Sequence, residues 1–375
     1  MNKGLEIITL TKSQLIEAVE EIRSRTNENI EILYWKNQEF SGFSKNKAFW
    51  IINSPRIADN DYCFFLAIEN SKIVALISVI PDLIKSESGL EKVYWMTEWW
   101  VNDAFEKTVL PTYLFSEALK FTKNRILIKS YAENANDFYN KQPFEPIEKR
   151  LRHTIFLSLN PDSIIAKFKF LKRFRFFLNI ANTLSLNIIA LSNKNKIRSK
   201  VGDLNYEYLT KLDAATWQFI APLCNTDLIY KSRDYIDWHL DCAQYLNTPL
   251  QNKTTFNAII RGYSKHIDVF KIKVIKDGEI IGFISFLNFH GEVYLKYFLA
   301  DCESNFEILA NVLIEHLIDL KVSHIFTENQ ELVHSIKNRF SYIFMHSSTK
   351  TALAHKDLYT DLYFKEIREQ DGHFI

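Results

Sequence analysis

Glycine and proline are scarce in this chain, with 9 and 8 residues among 375. That excludes collagen-like, low-complexity and linker-dominated sequences. Cysteine is scarcer still, and the four residues Cys63, Cys224, Cys242 and Cys302 form no CxxC pair. Neither a disulfide framework nor a zinc site is expected; buried free thiols in a reducing cytoplasm are. The ten histidines include no HxxxH or HxH, and His239 with Cys242 at i, i+3 is too small a set for a metal, so no metal is expected. Excess charge is also missing. Lys and Arg total 46 against 45 Asp and Glu, a net charge of +1, which excludes a general nucleic-acid binder. No run of 18 apolar residues occurs. The nearest, Phe176 to Leu191, is interrupted by Asn179, Asn182, Ser185 and Asn187, so no membrane span is expected. The opening MNKGLEIITLTKSQ lacks the apolar core of a signal peptide, and a cytoplasmic location is expected.

What the chain does have is apolar and aromatic mass: 47% hydrophobic residues, with 29 Phe and 17 Tyr, enough for two cores. LEIITL reads as a strand, and Thr11 or Ser13 can cap the helix after it. YCFFLAIENSKIVALISVI reads as strand, turn at Asn70–Ser71, strand, and KVYWMTEWWV as a third strand. KTVLPTYLFSEALKFTK has helical spacing at Leu110, Leu114 and Ala118. RILIKSY, ENANDFYNK and LRHTIFLSL follow as strand, short helix and strand. From about Asp203 the order recurs: helical stretches, three strands joined at Asp277–Gly278 and His290–Gly291, a helix with Phe306, Leu309, Leu313 and Leu317 on one face, then strand, helix, strand. The expected architecture is α/β with mixed sheets, in two tandem domains at 1–160 and 203–375 that form a diverged internal repeat.

Between them, 161–202 reads as a basic helical connector. In KFKFLKRFRFFLNI, five cations alternate with five phenylalanines, and no Asp or Glu occurs from Ser163 to Gly202. At 100° per residue Phe170, Leu171, Phe174, Phe177 and Leu178 share a face opposite Lys169, Lys172, Arg173 and Arg175. Three roles suit it: an interdomain helix with its apolar face on the domains, an amphipathic helix on an anionic membrane through Lys167 to Lys200, or an RNA contact.

The segment NANDFYNKQPF carries a resemblance. Asn134, Tyr139, Lys141 and Phe144 match, in spacing, a motif of the GNAT superfamily of acyl-CoA-dependent N-acyltransferases, with Pro143 where that family has Gly. The order of elements resembles the same fold in tandem over nearly the whole chain. The resemblance implies an N-acyltransferase that takes an acetyl or other acyl group from acyl-CoA to a small-molecule or lipid-linked amine, such as an amino sugar of a surface polysaccharide. It implies Tyr139 as general acid, Glu98 as general base, and Val101, Asn134 and Lys141 at the acyl-CoA. Tyr34, Trp35 and Phe43 fall where the family binds its acceptor. The family's glycine-rich pyrophosphate loop should lie at Glu106 to Pro111, but the chain reads EKTVLP there, and DCESNFEI at the second equivalent. Glycine lets backbone approach phosphate closely. Its absence leaves open two other readings: a FemABX-type transferase using aminoacyl-tRNA, and a non-catalytic binding protein.

Overall fold

The computed structural model describes residues 4–26, 33–35, 38–40, 45–70, 72–197, 204–241, 267–289, 291–359, 362 and 366–374. The elements are β1 (Glu6–Thr11), α1 (Lys12–Thr26), β2 (Leu33–Trp35), β3 (Gln38–Phe40), α2 (Lys45–Ile52), β4 (Tyr62–Glu69), β5 (Lys72–Ser86), β6 (Gly89–Val101), α3 (Leu110–Phe121), β7 (Ile126–Ile128), α4 (Asn136–Tyr139) and β8 (Phe144–Phe156). Then come α5 (Pro161–Lys167), α6 (Arg175–Ile197), β9 (Leu204–Tyr208), α7 (Ala214–Leu223), α8 (Arg233–His239), β10 (Ile267–Lys276), β11 (Glu279–Phe289), β12 (Glu292–Ala300), α9 (Glu303–Asp319), β13 (His324–Thr327), α10 (Gln330–Arg339), β14 (Phe344–His355) and α11 (Lys356–Tyr359).

The chain forms two compact units. Unit one comprises 1–149, 226–263 and 351–375; unit two comprises 150–225 and 264–350. Both are assembled from non-contiguous segments, whereas the sequence suggests contiguous domains at 1–160 and 203–375.

In unit one, β1, β4, β5 and β6 form an antiparallel series, β7 joins β6 in parallel, and the end of β14 joins β7 through Leu353–Ile128 and Ala354–Leu127. Alternation along the strands sends Phe65, Ala75, Ile77, Val79 and Met96 to one face, where Leu114, Phe115 and Ala118 of α3 cover them. Pro111 suits the first turn of α3, which has no use for that N–H. Lys123 and Asn124, both at positive φ, end it. The other face is partly closed by the segment 226–240, which hydrogen-bonds the end of β5 through Lys85 N–Leu228 O at 3.0 Å and Tyr230 N–Leu83 O at 2.9 Å. Trp238 of α8 stacks on Trp50 of α2 with centroids 4.4 Å apart, and each indole N–H donates to the other residue's carbonyl, at 3.0 and 2.8 Å. Asp82, fully buried, accepts from Trp95 Nε1 at 2.9 Å and Tyr235 OH at 3.1 Å and pairs with Arg56, whose guanidinium carbon lies 3.3 Å from the Tyr235 ring centroid. Lys231 pairs with Asp371 in the same interior. Buried charges persist only when paired in this way.

Unit two repeats the arrangement. β9, β10, β11 and β12 are antiparallel, β13 joins β12 in parallel, and the end of β8 joins β13 from His324–Phe156 to Thr327–His153. The strand that closes each unit therefore belongs to the other repeat. The β10–β11 turn is at Asp277–Gly278, as the sequence predicts, both with positive φ. α9 lies so close to β11 that a Cβ on Gly282 would stand 2.3 Å from Leu309 Cδ2.

The connector departs from expectation in three ways. Lys169–Phe174 is a 3-10 helix, so the 100° projection does not hold there. Phe170, Phe174 and Phe177, which the interdomain role would place on the domains, are exposed. The helical stretch Lys169–Ile197 is also long and apolar enough, by length and composition alone, to cross a membrane, where the sequence reading expects no such segment. No Gly or Pro occurs from Asp162 to Val201, so nothing in the chain interrupts it. Of the thiols expected to be buried, Cys63 and Cys224 are, whereas Cys302 is exposed at the start of α9 and Cys242 lies outside the described residues.

Candidate active site

In unit one the β5–β6 register shifts between Ser78 and Val79: Ser78 pairs with Glu98 and Val79 with Met96, so Thr97 is an extra residue. A bulge of this kind bends its strand and re-aims the side chains beyond it. β6 pairs with β7 at Tyr94–Ile126 and Trp95–Leu127, then continues from Met96 to Val101 while β7 ends at Ile128. Two parallel strands thus diverge at a bulge, and one leaves its backbone along the gap.

Unit two contains the same device. The β11–β12 register shifts between Ser285 and Phe286, with Ser285 opposite Tyr297 and Phe286 opposite Leu295, and the β12–β13 pairing stops at Tyr294–Phe326. Tyr297 takes the position of Glu98, so the carboxylate is present only in unit one. Ser78 and Ser285 are both fully buried.

The side chains around the unit-one gap divide between the two faces of β6. Tyr139, the last residue of α4, is buried among aromatics: Tyr131 at 4.9 Å between centroids, Phe138 at 5.4 Å, and Trp99, Phe115 and Phe144 each at 6.1 Å. Burial, with a smaller contribution from Tyr131, pushes the Tyr139 pKa well above the ordinary tyrosine value. The Trp99 indole nitrogen is buried with no hydrogen-bond partner among the described residues. Glu98 projects to the other face, is itself buried, and forms an ion pair with Lys47 of α2. Lys92, on the same strand, pairs with Asp61 at 2.6 Å. Lys47 was missed by sequence reasoning. Lys47 is one of two lysines in the polar first turn of KNKAFWII, and nothing local in the sequence singles it out.

Val101 ends β6 opposite Ala75. Asn134 lies in the 3-10 turn Glu133–Ala135 that leads into α4, and Lys141 is exposed just past it. Tyr34 and Trp35 form part of the two-stranded pair β2–β3; Phe43 lies outside the described residues. Among the described residues, no group of three or more His, Cys, Asp or Glu could hold a metal.

A thioester arm has the strand-like backbone of Met96–Val101 to lie against, and the Trp99 indole N–H has no partner among the described residues. A pyrophosphate fits less well. Leu110 N donates to Thr108 Oγ1 at 3.2 Å, Pro111 has no N–H, and Glu106 is exposed in the same loop. The first turn of α3 therefore offers few free donors to an anion.

No family model matches the chain, and no curated protein does either. Solved structures do. N-myristoyltransferase of Saccharomyces cerevisiae with bound myristoyl-CoA superposes with a TM-score of 0.51 at 12% identity, over 95% of this chain and 83% of that one. A GCN5-related N-acetyltransferase from Kribbella flavida gives 0.49 at 10% identity, over 95% and 73%. A tandem GNAT protein from the clavulanic acid biosynthesis pathway gives 0.48 at 9% identity, over 93% and 98%. The class the chain's architecture defines is the GNAT fold, a mixed α/β sheet with a parallel pair that parts.

Proposed function

We propose that unit one is an N-acyltransferase, with an acyl thioester as donor and a primary amine as acceptor. The observation that carries this reading is the bulged β6 diverging from β7, with Glu98 on one face and the Tyr139–Trp99 cluster on the other. The amine nitrogen attacks the thioester carbonyl, an N–C bond forms, and the C–S bond breaks. Glu98, held in place by Lys47, takes the amine proton, directly or through water. Tyr139 serves the leaving sulfur as a hydrogen-bond donor, since burial keeps its hydroxyl protonated. The donor is acetyl-CoA or a longer acyl-CoA; the structural neighbour with bound myristoyl-CoA supports keeping long chains in the panel. We assign the acceptor to amines on small or lipid-linked carriers, an amino sugar among them, with Tyr34, Trp35 and Phe43 as acceptor contacts and Val101, Asn134 and Lys141 toward the donor.

The crowded first turn of α3 favours a second donor, an aminoacyl group on tRNA, which needs no pyrophosphate cradle. Thiol release from acetyl-, palmitoyl- and myristoyl-CoA, measured against a panel of amines including amino sugars, separates the two. On the proposed reading Glu98→Gln lowers kcat by about 10²–10⁴-fold, and Tyr139→Phe by on the order of tenfold, the worth of one neutral hydrogen bond. Unchanged turnover in both variants would remove these roles. Transfer from aminoacyl-tRNA with none from acyl-CoA would install the second reading.

A further inference from the structure

Unit two carries a surface that acyl transfer does not use. Along α6, Phe177, Ile180, Leu184, Ile188 and Leu191 are all exposed, three of them by 65% or more. At 100° per residue they fall within an arc of about 80°, over a length of roughly 20 Å. Phe170, exposed by 67%, and Phe176, by 70%, extend the apolar surface toward the N-terminal end.

The opposite face of the same helix is fixed to the protein. Asn193 and Ile197 are buried, and Ile189 and Ala190 pack against the unit-two core. Asn193 Nδ2 donates to Ser341 O at 2.9 Å, and its Oδ1 accepts from Ser341 N at 2.7 Å. Asn182 Oδ1 accepts from Asn160 N at 3.2 Å. Asn182, one of the polar residues that interrupt the apolar run, and Asn193, just beyond it, thus both hold the helix to its unit.

Charge identifies what covers the stripe. From Ser163 to Gly202 there are nine Lys or Arg and no Asp or Glu. Lys167, Lys169, Lys172 and Arg173, all exposed, crowd the N-terminal end. At the other end Lys194 pairs with Asp319 at 3.0 Å and Lys196 donates to Ser341 Oγ at 2.9 Å, so the N-terminal cluster carries most of the attraction. A second copy of this helix would bring like charge against like charge with no acid to complement it. The exposed phenylalanines are confined to the N-terminal end; from Ile180 to Leu191, about three turns, the stripe is aliphatic, which neither a phosphate backbone nor a stack of bases selects. An anionic bilayer suits both features: apolar side chains enter the acyl boundary while flanking lysines and arginines reach the headgroups.

We propose that α6 and the 3-10 turn before it dock unit two, in the plane of the membrane, on an anionic lipid surface. The helix lies on the bilayer rather than crossing it, because crossing would break the Asn193–Ser341 and Asn182–Asn160 bonds. The inference is independent of the acyl-transfer reading.

The test is flotation of the full chain with vesicles of phosphatidylcholine alone and with about 40% phosphatidylglycerol, at low and high salt. Each basic side chain near the surface is worth about a fivefold gain in partition. Binding is expected to rise at least tenfold with the anionic lipid, and to fall by a similar factor at high salt. Phe176→Ser/Phe177→Ser/Leu184→Ser and, separately, Lys169→Glu/Lys172→Glu/Arg173→Glu should each lose binding by tenfold or more. All six sites are exposed, and an unchanged circular dichroism spectrum and melting point identify variants that fold. Equal binding to both lipids, or none to either, overturns the proposal. So does a stable dimer that the serine variant converts to monomer without any vesicle binding. Recovery only with detergent after alkaline extraction would mean that the helix crosses, which also overturns it.

Discussion

Residues 1–160 expressed alone should fail to form a folded domain, although they contain one complete repeat by sequence. Unit one draws on 226–263 and 351–375. Six large side chains from those segments, Ile229, Tyr235, Ile236, Trp238, Leu353 and Phe374, are at most 7% exposed. At about 1.5–3 kcal/mol for each fully buried side chain, they represent about 9–18 kcal/mol of gross apolar burial. The true figure is lower, by roughly 10–40%, because denatured chains already bury some of this surface. The loss nevertheless compares with the whole net stability of an ordinary domain, about 5–15 kcal/mol. Removal also takes the Tyr235 hydroxyl from Asp82, and Trp238 from its reciprocal bonds with Trp50. Size-exclusion chromatography, near-ultraviolet circular dichroism and thermal melting form the assay. The fragment should aggregate or lack near-ultraviolet signal, and co-expression with 161–375 should rescue it. A monomeric fragment with a cooperative melt would show that 1–160 folds without these segments.

Three further outcomes follow from particular positions. Gly372→Ala places a Cβ 2.6 Å from Trp95 Cε3 at a φ of +64°; with roughly 1–2 kcal/mol for the left-handed backbone and about 1–3 for overpacking, denaturant titration should show a loss of about 2–5 kcal/mol. Gly282→Ala meets Leu309 with no backbone penalty, and the same titration should show about 1–3 kcal/mol. Burial pushes the Glu292 carboxyl up to about 7 and the nearby His324 down to about 4, so at neutral pH His324 is uncharged and their 3.8 Å contact is not a full ion pair. A raised carboxyl favours the folded state below its unfolded value of about 4.5 and loses that contribution as pH climbs through about 7. Glu292→Gln should therefore gain on the wild type across that window, by on the order of 2–3 kcal/mol in urea denaturation measured at pH 5 and pH 8.

The repeated order of elements was legible because turns and periodicity are local. Asp277–Gly278 specifies its hairpin, and Leu110, Leu114 and Ala118 specify the inward face of α3. Strand partnership was not legible. FEPIEKRLRHTIF and FMHSSTKTALAH would both serve as the last strand of either repeat, and nothing local says that β7 takes the end of β14 while β13 takes that of β8. The same limit hid Lys47, whose partner Glu98 is 51 residues away. It also misplaced Tyr235 and Trp238, which read as helical residues of the second repeat and lie in unit one. On α6, periodicity reveals that a face exists but not what that face meets. The missing glycines near Glu106 were visible in the sequence. Their consequence, an α3 first turn occupied by Thr108 and Pro111, needed coordinates.

The acyl-thioester reading is tested most directly by isothermal titration of the full chain with acetyl-CoA and myristoyl-CoA, with free CoA alongside. Saturable binding at one site per chain is expected, with a dissociation constant in the range of about 1 μM to 1 mM common to enzyme substrates, accompanied by a change in tryptophan fluorescence that Trp99→Phe removes. No heat and no fluorescence change with any acyl-CoA up to millimolar concentration would contradict it.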